Sequence, residues 1–61
     1  MTARINAIAA MAQQRMKLLN PGGPYDRSFI AETVGAVTSG IPEISDDDRR
    51  AAIAEIEARE Q

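Results

Sequence analysis

Cysteine, histidine and tryptophan are missing from this chain, and phenylalanine and tyrosine occur once each, as Phe29 and Tyr25. Without cysteine there is neither a disulfide framework nor a thiolate zinc site, and redox compartment leaves no mark on the sequence. Without histidine as well, the commonest general base and the thiol nucleophile are both gone, and no serine has a histidine to activate it. No His-Glu-x-x-His or Gly-x-Ser-x-Gly arrangement is present either. A chain this short leaves little room for a shielded pocket. The expectation is a non-enzymatic protein with no cofactor and no metal. Two rings make no stacking platform for single-stranded nucleic acid. Long apolar runs are lacking too, and none approaches the length of a transmembrane helix.

What is there is a small helical body. The 61 residues make one domain at most, near the lower limit at which a chain folds alone. The hydrophobic fraction of 44% flatters the core, because 11 of those residues are alanine. Only 16 are larger apolar side chains, among them seven isoleucines. With so thin a core, stability has to come from tight helix packing, self-association or a host complex.

The net charge of −2 is unevenly spread. Residues 1–27 carry four bases against Asp26 alone, and residues 28–61 carry three arginines against eight acids. Either the two halves attract within one fold or between copies, or a basic first helix meets an anionic partner.

In the first helix, residues 3–19, Ile5, Ile8, Ala9, Ala12, Met16 and Leu19 share one side at helical spacing, extended by Met1. Asn6, Gln13, Gln14 and Lys17 collect away from this stripe, while Met11 and Leu18 form a second, weaker apolar flank. Arginines without an acid before Asp26 also fit an organelle transit peptide, although its removal would leave too little chain to fold. Asn6 and the Gln13–Gln14 pair interrupt any run of secretory-signal type. The location expected is cytoplasmic or within a larger assembly. Pro21 ends the helix at Leu19 or Asn20. Gly22 and Gly23 in the loop of residues 20–26 invite a phosphate-loop reading. That reading fails, because no Gly-Lys-Ser/Thr follows and Asp26 would repel a phosphate at the next helix start. Tyr25 is expected to lay its ring on the core edge with its hydroxyl in water.

Asp26 or Ser28 caps a second helix, residues 27–39, with Gly40 as its left-handed terminator and Pro42 beyond. Its stripe is Ile30, Val34, Val37 and Ile41, flanked by Phe29 and Thr33; the three- and four-residue spacing favours helix over strand despite the β-branched cluster. Ala31, Gly35 and Ser39, spaced by four, lay a ridge of small residues on another face. Either a neighbour approaches the backbone at Gly35, or that glycine merely weakens an exposed helix. In the linker of residues 40–45, Ile41 and Ile44 are expected to tuck against the bundle. Ser45 caps a third helix, residues 46–59, with Asp46, Asp47 and Asp48 in its first turn and Asp48 at the capping-box position. Pairs Asp46–Arg50 and Glu55–Arg59 are four apart in the favourable order. Only Ala52, Ile53 and Ile56 form its apolar strip, so its last turn is expected to fray.

The triple aspartate does not read as a calcium loop, which spaces its oxygens at alternate positions with a glycine and a distal glutamate. Nucleic acid is disfavoured because a helix-turn-helix built from the second and third helices would lead with those aspartates. A membrane-surface role wants more bulk than Ala9 and Ala12 leave on the first helix.

The sequence thus predicts an all-α chain of three short helices, a small antiparallel bundle or a helical hairpin with a loosely docked third helix. Packing is assigned to Ile5, Ile8, Ala12, Met16, Leu19, Ile30, Val34 and Val37. The function expected is protein–protein interaction, as a small accessory or assembly subunit that completes its fold as an oligomer or on a larger complex. Met11, Arg15, Leu18, Ala31 and Gly35 are the candidate partner face. The alternative is a small regulatory inhibitor that uses Asp46, Asp47 and Asp48 to occupy a basic, nucleic-acid-binding site on another protein.

Overall fold

Each helix begins on a side chain that accepts a hydrogen bond from an otherwise orphaned amide of the first turn. In the computed structural model, which describes residues 2–60, Thr2 caps α1 (Ala3–Leu19) by accepting from the Ile5 amide at 3.2 Å. Asp26 caps α2 (Arg27–Thr38) by accepting from the Phe29 amide at 2.8 Å. Ser45 caps α3 (Asp46–Arg59) in a full capping box: its hydroxyl accepts from the Asp48 amide at 3.1 Å, and the Asp48 carboxylate accepts from the Ser45 amide at 3.2 Å. Met1, assigned to the apolar stripe of α1 by its spacing, lies outside the described residues. The helices stop where backbone chemistry requires. Pro21 follows the Asn20 cap of α1, and Gly40, at φ +79°, turns the chain left-handed after α2. Gly23, at φ +52°, makes the corresponding turn in the first loop.

The three helices form one bundle. Arg4, near the start of α1, reaches Glu43 and Asp48 near the start of α3, while Gln13 and Glu60 meet towards the far ends. α1 and α3 therefore run in the same sense. Arg27 to Glu57 and Arg49 to Thr38 link α2 to α3 head to tail, so α2 runs opposite to both. Ile5, Ile8, Ala9, Ala12 and Met16 of α1 close over Ile30 and Val34 of α2, Ala52 and Ile56 of α3, and Ile44 of the linker. Three of these are alanines with no exposed surface. Their small side chains let the helix axes come close, and this is how so few bulky residues enclose a core.

Four expectations about packing need correction. Of the two arrangements open from sequence, the structure is the bundle: α3 is not loosely docked, and its last turn is held rather than frayed. Arg59 donates to Asn6 and Gln13 of α1 as well as to Glu55, and Gln13 donates to Glu60 at 2.6 Å. Leu19 is not core but 62% exposed. Met16, one turn earlier, is already fully buried, and Tyr25 and Phe29, stacked with ring centroids 5.7 Å apart, pack against the core at this end. Ile41 does not continue the stripe of α2, because the left-handed turn at Gly40 takes the chain off the helical path first. Val37 packs at the edge, Ile44 goes inside, and Thr33 and Thr38 complete the buried face. Finally, Arg49 takes Asp46 at 2.9 Å and Arg50 takes Asp47 at 2.8 Å, in place of the Asp46–Arg50 pair. The reason is that Arg49 lies along the α2–α3 seam with Nε donating to Thr38 Oγ1 at 2.8 Å.

The buried hydroxyls have their partners. Thr33 donates to the Phe29 carbonyl at 2.8 Å and Thr38 to the Val34 carbonyl at 2.7 Å, and no buried side-chain nitrogen or oxygen is left unpaired among the described residues. The Tyr25 hydroxyl, expected in water, donates to the Asn20 carbonyl at 2.8 Å and ties the first loop to the end of α1.

Candidate functional site

Helical spacing divides α1 into a face given wholly to the core and a flank left in solvent. On that flank Leu18 is 79% exposed and Met11 44%, with Arg15 between them and Leu19 at its edge. Positions 11, 15 and 18 are separated by four and three residues, so their side chains stand in one row. The row borders a shallow groove between α1 and α2, of about 180 Å³, lined by Arg15 and Leu19 from one helix and Phe29, Glu32, Thr33 and Ala36 from the other. Its floor is apolar, since the Thr33 hydroxyl is turned back onto the Phe29 carbonyl. Its two charged walls have opposite sign. Among the described residues neither Arg15 nor Glu32 joins an ion pair, whereas all eight charged residues of α3 are drawn into pairs within the chain, Asp48 with Arg4 of α1 and Glu57 with Arg27 of α2.

The structure brings together Met11, Arg15 and Leu18 but not all five residues of the candidate partner face. Ala31 and Gly35 each precede a groove residue, Glu32 or Ala36, by one position, a rotation of about 100° around the helix. They lie on the flank of α2 nearer to Arg27 and Thr38, which contact α3. Both are exposed, and a Cβ added at Gly35 would meet no atom within 4 Å. Among the described residues nothing packs on the face of α2 where a Gly35 side chain would stand. Leu19, Phe29, Glu32 and Ala36 were not singled out from sequence as a surface. The signal for the α2 wall was present, since positions 29, 32 and 36 repeat at three and four residues on a second stripe beside Ile30 and Val34. The signal for Leu19 was not, because its angular position on α1 is that of a core residue.

Asp46, Asp47 and Asp48 lie together at the start of α3, each engaged within the chain. The first two pair with Arg49 and Arg50; the third holds the Ser45 amide and Arg4, at 3.2 and 3.3 Å. The Ser45 backbone hydrogen bond, with help from the Arg4 guanidinium, holds the Asp48 carboxyl below the ordinary carboxylate range. Among the described residues no three carboxylates converge as metal ligands would. The glycine loop borders a recess of about 230 Å³ that Lys17 and Glu60 share, so any anion placed there would face a carboxylate as well as an ammonium. Among the described residues no helix is long and apolar enough to cross a membrane. No family model, no curated protein and no solved structure matches this chain.

Proposed function

We propose that this chain is a non-enzymatic protein-binding module, a small accessory or assembly subunit whose partner covers the exposed flank of α1. The observation that carries this reading is the placement of Met11, Leu18 and Leu19 in solvent. These three, of only 16 larger apolar side chains, stand together outside a core in which alanines fill three of the ten buried apolar positions. Covering a leucine side chain completely contributes about 1.5–3 kcal/mol, so a partner on this flank, another copy or a larger complex, completes the burial that three short helices leave unfinished. Arg15, inside the same row, supplies a charged contact that fixes orientation. The inhibitor reading draws less support, because the carboxylates it needs are spent on Arg4, Arg49, Arg50 and the cap of α3.

The test is a double replacement, Leu18→Gln with Leu19→Gln. Both side chains are exposed, so the thermal midpoint of the diluted chain should stay within about 0.5 kcal/mol of the original stability. The tagged chain in an extract of its source cells should run in size-exclusion as a larger species, and the double variant as the free chain. A wild-type chain that runs free, or a variant that keeps the larger species, would refute the reading.

A further inference from the structure

The reading above leaves open what covers the flank of α1, and the groove beside it narrows the answer. We propose that the occupant is a second copy of this chain, seated groove to groove, with Arg15 of each copy paired to Glu32 of the other. The inference rests on the protein-binding reading and adds its partner.

Charge selects the occupant. The two walls of the groove carry one base and one acid, facing the same recess, and neither has an ionic partner among the described residues. A partner surface of a single sign would satisfy one of them and bury the other unpaired, which is costly. A surface that presents an acid over Arg15 and a base over Glu32 satisfies both, and the groove itself is such a surface once it is turned over. In a two-fold contact each residue i that meets j is matched by j meeting i. The charges also select the axis. A two-fold axis lying in the interface along the groove lays α1 of one copy over α2 of the other and places Arg15 against Glu32 twice. An axis across the groove would lay α1 on α1 and bring like charges together. Between the two ion pairs the first arrangement encloses Leu19, Phe29 and Ala36 of both copies, with Leu18 and Met11 at the margins.

The area is sufficient. A stable contact takes about 800 Å² from each partner, roughly a fifth of the 3905 Å² that this chain exposes, and one of the three faces of a three-helix bundle can supply that.

The experiment is sedimentation velocity of the full chain over a hundredfold concentration range, with circular dichroism to verify helicity. The wild type should pass from monomer to dimer, and the dimer should weaken as salt is raised. R15E alone places acid against acid, and E32R alone places base against base, so each should weaken dimerisation at least tenfold. Mixing the two variants should restore it, because R15E then meets E32R across both pairs. An Arg15–Glu32 contact formed within one chain cannot be rescued by mixing. R15Q and E32Q, uncharged at the same positions, should regain on mixing one of the two pairs, a partial rescue that supplies the comparison if a reversal disturbs the fold. A dimer indifferent to the reversals, or single variants that do not associate when mixed, would overturn the proposal. A wild type that stays monomeric throughout would overturn it as well, while the larger species lost with Leu18 and Leu19 would keep the protein-binding reading in place.

Discussion

Thr38 shows how one hydroxyl joins two helices. It is fully buried, donates to the Val34 carbonyl one turn back, and accepts from Arg49 Nε at 2.8 Å. The guanidinium then spans to Asp46, so a single polar atom sets the seam where α2 hands over to α3. Thr38→Val keeps the shape and removes the acceptor. It should lower the free energy of unfolding by about 1 kcal/mol, read from urea melts, and R49Q in the same background should add little, because the two residues share one interaction. A valine variant as stable as the wild type would mean that the seam is held by packing alone.

At the scale of elements, α3 is the helix whose stability answers to pH. The Asp48 carboxyl is held below its ordinary value by the Ser45 amide and Arg4, whereas in the unfolded chain it titrates near 3.8. The native state therefore binds this proton less readily than the unfolded state. The stabilisation is fully present above the unfolded value and is lost as pH falls through the lowered native one. Thermal midpoints followed from pH 6 down to pH 2 should drop over that acid limb, and Asp48→Ala, already without the contact, should drop less. Parallel curves for the two proteins would show that the capping box contributes nothing to the pH dependence.

For the molecule as a whole, the question is whether three helices share one core or whether α1 and α2 stand without α3. Ile56 is fully buried against residues of both other helices, and the α1–α3 seam is tied by Arg59, Gln13 and Glu60. Ile56→Ala should cost about 2–5 kcal/mol, comparable to the whole stability of a chain this small at 0.05–0.15 kcal/mol per residue. The variant should lose the helical signal of all three helices in one step, or fail to fold. A residual hairpin that kept about two thirds of the helicity while α3 melted would contradict the single core.

The parts of this protein legible from sequence are those decided within about four residues. The starts of α2 and α3 follow from Asp26 and Ser45, and the ends of α1 and α2 from Pro21 and Gly40, because caps and breakers act through the backbone of their own turn. The Thr2 cap belongs to the same class and was open to the same reasoning. The inward faces of Ile5, Ile8, Ile30, Val34 and Ile56 follow from the 3.6-residue period. Tertiary structure alone decided which ends of those stripes are covered. Leu19 and Ile41 have the character of core residues and stand outside, while Thr38 and Ile44 are inside, because coverage depends on where another helix passes and on where the chain turns away. It alone decided that Arg49 faces Thr38, that α3 is clasped through Arg59, and that Arg15 and Glu32 come to face one groove from different helices. These contacts join positions 11 to 53 residues apart, and no local signal carries them. Local backbone chemistry wrote the helices; the mutual exclusion of water by three of them chose the surface that is left.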